Sequence, residues 1–262
     1  MAERIEAENL RQIERLNQRG GRTLSCIDLI AAGTFSLEIA GLCAAAIARG
    51  ASMLTGAVPG GAGKTTLMAS LLGFLAPGRP IATVESADDL STSCADNEAV
   101  YLVHEIGSGP WYGYLWGPAV ADYMALARGP GSIATCLHAD TVDETLGILS
   151  SPPLGARPQD LDHIGLMLFI NRSGGHHRVT TACVPAAGGG HGRLFEWDRW
   201  SGSHLRMGGE DVLSPLCELL NTSRAELAEL SDGMEKLLGD LLVSEVNRYE
   251  DVRQAFVESG LK

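Results

Sequence analysis

The stretch "ASMLTGAVPGGAGKTTLMASLLGFL", residues 51–75, constrains the chain more than any other. An apolar run of strand length enters a glycine-rich turn, and the residues from Lys64 onward carry helical periodicity until Pro77-Gly78. A buried strand that turns directly into a helix belongs in a sheet covered by helices, so the stretch predicts an α/β architecture. The turn departs at one position from the phosphate-binding pattern G-x-x-x-x-G-K-[ST]: Val58 stands where the first glycine is expected. That glycine serves to let the strand turn, and Pro59-Gly60 supply a turn instead. A nucleotide triphosphate needs backbone N–H groups curled round its phosphates, a helix start aimed at them, a lysine for the β- and γ-oxygens and a hydroxyl on Mg²⁺. Gly60, Gly61, Ala62, Gly63, Lys64 and Thr65 provide this set, with Thr66 next to it. The chain has only three lysines, Lys64, Lys236 and Lys262, so one between Gly63 and Thr65 is a specific signal. The expected ligands are therefore ATP and Mg²⁺, the metal meeting Thr65. The plain alternative is a strand-to-helix turn that binds nothing.

The rest of the chain extends the alternation. Residues 80–86, 99–106 and 132–139 are apolar runs of strand length, the pattern of parallel strands buried on both faces. Residues 35–49, 117–128 and 141–150 read as helices, the last opened by a Thr141/Glu144 capping box. From residue 163 the pattern changes to short strands separated by "SGG", "PAAGGG" and "RWSG", which predicts antiparallel hairpins. From Leu213 onward it is helical again, with a Ser223/Glu226 capping box. Residues 2–19 form a charged helix whose thin apolar stripe, Ile5, Leu10, Ile13 and Leu16, suits docking on a neighbour.

Composition excludes several classes. A formal charge of −12 disfavours nucleic acid as a direct partner. The six cysteines, Cys26, Cys43, Cys94, Cys136, Cys183 and Cys217, are scattered without a C-x-x-C pair, and the N-terminus has no signal-like pattern. Reduced thiols and a cytoplasmic location are expected. The apolar run 39–48 is far shorter than the ~20 residues that span a bilayer, so no direct membrane insertion is expected and any membrane association goes through partners.

Three further residues bear on chemistry. Glu105 ends the run "VYLVHEI", a position suited to orienting or deprotonating an attacking water. Glu85 ends "IATVE", followed by Asp88-Asp89, so two strand tips could bring acids together near a γ-phosphate. His138 ends a third run, where an imidazole could sense the same phosphate. Singly, strand-end acids are often solvated and a lone histidine is often a structural hydrogen-bonder; all three behind a glycine-rich loop form a stronger pattern. His176-His177 lack a third ligand, and adjacent strand positions face opposite sides, so no metal beyond nucleotide-bound Mg²⁺ is expected. The aromatic segment 109–117 reads as an ordered loop packed on its own core, with a partner-gripping loop as the alternative.

The loop "GGAGKTTL", the acidic box "ATVESADDL", the strand "YLVHEIG" and above all the histidine box "IATCLHADTVDETLGIL" resemble the type II/type IV secretion ATPases, the motors of secretion, pilus and archaellum machines. The resemblance covers residues 24–260. It implies a RecA-like P-loop core with a mostly parallel sheet, followed by antiparallel strands and a helical segment. The corresponding boundaries are an N-terminal helix and linker (1–23), the ATPase core (24–210) and a C-terminal helical segment (211–262). It also implies a hexameric or hetero-oligomeric ring, ATP hydrolysis that drives a membrane platform protein, and a peripheral place at the inner face of the membrane. By position it assigns Lys64 and Thr65 to phosphate and Mg²⁺, Glu85 to the acidic box, Glu105 to the Walker B site and His138 to the histidine box. Departures besides Val58 matter, among them Ser108 after "HEIG", where the family usually has arginine. The family carries a large N-terminal domain, whereas residues 1–50 alone precede the core strand here. Relatives also supply arginines between the two acids, and this chain has no Arg or Lys between Arg79 and Arg128. That absence predicts slow hydrolysis, with Arg128, Arg157, Arg172 and Arg178 as replacement cations. Two other readings remain: a hydrolysis-poor, nucleotide-responsive regulatory or assembly subunit, and, disfavoured by the histidine box, a small-molecule kinase.

Overall fold

The computed structural model describes residues 2–17, 20–93 and 98–261. Gln18 and Arg19, at the end of the expected N-terminal helix, and Cys94 lie outside the described residues. The chain begins with α1 (Ala2–Arg15), α2 (Cys26–Ala31) and α3 (Leu37–Ala48). Helix α2 opens on a reciprocal Ser25/Asp28 capping box that the sequence pattern did not bring out. Every residue of α3 from Ile39 to Ala48 is buried, which explains why the segment is apolar all round. Then come β1 (Met53–Gly56), α4 (Lys64–Leu72), β2 (Ile81–Thr83), α5 (Ala87–Ser93), β3 (Val100–Ile106), β4 (Tyr114–Leu115), α6 (Ala119–Ala125) and β5 (Ser132–Leu137). Helices α7 (Val142–Ser150) and α8 (Pro158–Leu161) precede the strands β6 (Leu166–Ser173), β7 (His176–Pro185), β8 (His191–Asp198) and β9 (Ser203–Arg206). Helices α9 (Ser214–Leu219), α10 (Arg224–Val243) and α11 (Tyr249–Ser259) close the described chain.

Among the described residues, nine strands join one sheet in the order β2-β3-β5-β1-β6-β7-β8-β9, with β4 added beside β3. The pairs among β1 to β6 are parallel, and β6 to β9 pair antiparallel, so the architecture is mixed α/β with a central, mostly parallel part. Successive residues of β1 serve opposite faces: Met53 belongs to the apolar cluster that includes α3, α4 and α10, and Leu54 to the one that includes α6 and α7. Both faces are thus covered, as the unbroken apolar runs require. At β2, Asn9 of α1 accepts from the Ile81 N–H at 2.8 Å and donates to the Arg79 carbonyl at 2.9 Å, so a helix side chain occupies hydrogen-bonding positions a further strand would fill. Ion pairing of Glu6 with Arg253 of α11, 2.8 Å, holds the same helix from its other end.

One cap differs from expectation. Thr141 accepts from the Glu144 N–H, but the Glu144 carboxylate accepts from the Asp140 N–H at 2.8 Å rather than closing on Thr141. The Ser223/Glu226 box of α10 is reciprocal. No helix among the described residues is long and apolar enough to cross a membrane. Cys26, Cys43, Cys136, Cys183 and Cys217 are buried free thiols.

Candidate functional site

Strand register brings the site together. Gly56 of β1 pairs with Leu137 of β5, and Leu137 pairs with Ile106 of β3, so three neighbouring parallel strands end at one level. Their ends therefore bring three groups to one place: the glycine-rich loop beyond β1, His138 beyond β5 and Glu105 near the end of β3. In open α/β sheets this carboxyl edge is where ligands bind. The β3–β5 ladder passes from the pair Val103/Thr135 to the pair Ile106/Leu137, so β3 carries one extra residue across this step. Such a bulge suspends strict alternation, and His104 and Glu105, adjacent in sequence, both line the cavity above the loop.

The cavity measures about 890 Å³. The residues Gly60 to Thr66 line it together with Glu105, Tyr114 and His138. The left-handed backbone in the loop falls at Gly61 (φ 78°) and Gly63 (φ 105°), whereas Val58 does not have a positive φ. Its N–H donates to Asp140 Oδ1 at 2.8 Å and its carbonyl accepts from His138 Nδ1 at 2.8 Å, while its side chain is exposed. Backbone bonds fix position 58, and no glycine is needed there. Gly63 caps α4 without a side-chain hydrogen bond, and the first turn of α4 carries no acid, so its N–H groups face the cavity unneutralised.

The Lys64 side chain is 6% exposed. Its ammonium donates to the Ala57 carbonyl at 3.2 Å and lies 3.7 Å from Glu105 Oε2 and 3.3 Å from His138 Nδ1. Glu105 Oε1 lies 2.8 Å from His138 Nε2, and His138 Nδ1 donates to the Val58 carbonyl. Lys64, Glu105 and His138 thus form one hydrogen-bonded and ionic cluster at the mouth of the loop. Beneath it, Thr55 Oγ1 donates to the Lys64 carbonyl and contacts Cys136 Sγ at 3.1 Å, and burial pushes the Cys136 thiol up to about 12. Burial, then the Glu105 charge, raises the Tyr114 phenol.

Glu85 stands apart. It is exposed, does not line the cavity, and its N–H donates to Asp89. The expected convergence of two acidic strand tips does not occur, because β2 pairs only with Val100 to Leu102 of β3, and β4 takes over the same flank opposite Glu105 and Ile106. The strand β4 comes from the aromatic segment, which combines a packed part with an open one. Leu115 is buried, while Trp111 and Trp116 are exposed. Tyr112 stacks edge-on to His104 at 5.1 Å and accepts from Arg15 of α1 at 2.8 Å. Gly113 (φ 71°) is required here: a Cβ would stand 2.6 Å from the His104 ring. Both ring nitrogens of His104 are buried without a hydrogen-bond partner, and burial, with a smaller contribution from Arg15, brings its pKa down to about 4.

Of the four replacement arginines, Arg128 and Arg157 both pair with buried Asp160, and Arg178 lies over the Trp197 ring at 3.9 Å. Only Arg172 lines the cavity. Two contributors were missed in the sequence. Asp140, in "LHAD", anchors Val58, and its position two residues past a strand-end histidine was the available signal. His177, weighed only as a metal ligand, lies 2.7 Å from the Ala62 carbonyl and braces the loop from β7. No family model and no curated protein match the chain. Among solved structures the chain is distantly similar to the VirB11 ATPase of the Brucella suis type IV secretion system in complex with sulphate, at 17% identity and a TM-score of 0.42, over 60% of this chain and 54% of that chain.

Proposed function

We propose that the chain is an ATPase of the secretion superfamily, with a RecA-like core that binds ATP at Gly60 to Thr66. The observation that carries this reading is the convergence of Lys64, Glu105 and His138 on an uncapped helix start. The residues present fit a magnesium nucleotide: the glycine turns leave backbone N–H groups free, Lys64 supplies the cation, and Thr65 supplies a hydroxyl at the cavity. Magnesium held by Thr65 and the phosphate oxygens would neutralise charge on the β- and γ-phosphates.

Lys64 exchanges its contacts with Glu105 and the Ala57 carbonyl for phosphate oxygens. Glu105, thereby released from Lys64 and still held by His138, accepts a proton from water. The water oxygen bonds to the γ-phosphorus as the bond from that phosphorus to the bridging oxygen breaks, its electron pair leaving on ADP. The products are ADP and orthophosphate. In this reading the subunit works in a homo- or hetero-oligomeric ring, at the inner face of a membrane, against a platform protein of a secretion or pilus machine. One observation favours a second reading, a regulatory subunit with little turnover: no Arg or Lys lies between Arg79 and Arg128.

Titration with a non-hydrolysable ATP analogue, alongside phosphate release and light scattering, tests the set. Lys64→Ala removes one partner of a buried charge cluster and should weaken binding by about 3 kcal/mol, roughly 100-fold. Equal affinity in wild type and Lys64→Ala sinks the nucleotide reading. Binding without phosphate release selects the regulatory reading, and a mass that stays monomeric with the analogue removes the ring.

A further inference from the structure

Transfer of a γ-phosphoryl group spreads negative charge over three equatorial oxygens, and Lys64 alone faces them from the loop side. We infer that Arg172, at the outer end of β6, is the cation that this same chain brings to the γ-phosphate in cis. The inference rests on the ATPase reading above and answers its missing arginines.

Strand geometry carries the argument. Ile170 of β6 faces the loop closely enough that its Cδ1 lies 3.3 Å from where a Cβ on Gly63 would stand. Side chains alternate along a strand, so Arg172 projects from the same face as Ile170, one step nearer the carboxyl edge. Its cross-strand partner is His177, which meets the Ala62 carbonyl at 2.7 Å. The β6–β7 hairpin thus leans on the loop through Ile170 and His177, and Arg172 sits between those contacts on the cavity wall. Asn171 and Arg178, paired with each other, belong to the opposite face, where Arg178 stacks on Trp197.

Charge accounting singles out the same residue. Among the described residues two arginines line the cavity, Arg22 and Arg172. Arg22 is committed to Asp28 through two hydrogen bonds of 2.6 Å. Arg172 is exposed and makes no ion pair with a described residue. In a chain of formal charge −12, a guanidinium lining the same cavity as Lys64 makes that cavity a local focus of positive potential. A guanidinium also presents a planar fork that fits two phosphoryl oxygens, which an ammonium does not.

The test reads binding and turnover on the full chain. ADP affinity is measured with and without orthovanadate, a mimic of the phosphoryl group in flight, for wild type, Arg172→Ala, Arg172→Lys and Lys64→Ala. Thermal unfolding confirms folding of each variant, which the exposure of Arg172 favours. Arg172→Ala should bind ADP within about twofold of wild type yet lose vanadate trapping, and its turnover should fall about 10²- to 10³-fold. Arg172→Lys should recover part of both, and Lys64→Ala should lose ADP as well. Mixing Arg172→Ala with Lys64→Ala should restore no turnover, because neither chain holds both cations. Vanadate trapping by Arg172→Ala at wild-type strength overturns the assignment while leaving ADP binding, and so the nucleotide reading, intact. Recovery of turnover in the mixture overturns the cis arrangement. Failure of wild type to bind ADP overturns the assignment together with the reading beneath it.

Discussion

Glu105 and Glu85 each end an apolar strand run, and their surroundings could hardly differ more. Glu105 lies within 2.8 Å of His138 and 3.7 Å of Lys64, whereas Glu85 is exposed with its backbone turned to Asp89. The cause is sheet order. Strand β3 is separated from the loop strand β1 only by β5, which itself delivers His138, while β2 lies at the far edge and stops short of Glu105. Beyond that stop, Tyr114 and Leu115 of β4 run beside Glu105 and Ile106. An acid at a strand end acquires a role from which strands flank it, and that is a property of pairing between distant segments.

The comparison breaks most readily through turnover. Glu105→Gln should reduce phosphate release about 10²- to 10⁴-fold with ATP affinity nearly kept, the mark of an interaction used in the transition state. Glu85→Gln should change release by less than about threefold, as for a solvated carboxylate outside the site. Equal losses in the two variants would unite the acids again, and a collapse of affinity in Glu105→Gln would make that residue a binding group instead.

A smaller effect sharpens the boundary between the two acids, which is built on His104. Its folded pKa of about 4 lies below the ordinary 6.5. Between those values the unfolded chain holds a proton that the folded chain does not, so this contribution to stability is complete above about pH 6.5 and declines as the pH falls toward 4. The full window amounts to about 3 kcal/mol. In urea titrations at stepped pH, His104→Phe should flatten that decline relative to wild type; parallel curves would mean that His104 takes its proton in place. The smallest effect concerns the loop. Val58→Gly restores the common motif at a position whose backbone has no need of glycine, so it should leave nucleotide affinity unchanged and cost about 0.5–1 kcal/mol of stability through the unfolded chain. A gain in affinity would show that Val58 does constrain the loop.

Much of this arrangement was legible in the sequence for local reasons. The loop, Lys64 and Thr65 belong to one contiguous motif, and the apolar runs before Glu105 and His138 are periodic signals that need no knowledge of neighbours. Helix α2 was not read from the sequence: Ser25 and Asp28 have capping-box spacing, but an Asp in place of the usual Glu hides the signature. What the residues could not convey depends on partners. The two-residue β4 has too little length for a pattern and exists through pairing with β3. The position of Arg172 relative to the loop is set by the register of β6 against β1, as the separation of Glu85 is set by strand order. Asp140 bonds to a backbone N–H 82 residues away, a contact with no periodicity behind it.

The bulge that holds His104 and Glu105 on the cavity is encoded by a number of residues rather than by their kinds. Any substitution within Val103 to Ile106 leaves the extra position in place, since the ladder resumes at Ile106 opposite Leu137 whatever side chains stand between. Deleting a single residue there has another outcome: the two-residue step returns, and one side chain stands opposite Cys136 where His104 and Glu105 both stand now. The segment is therefore forgiving of point changes and intolerant of changes in length. A one-residue deletion would leave room for only one of His104 and Glu105 at the cavity, whatever the letters on either side.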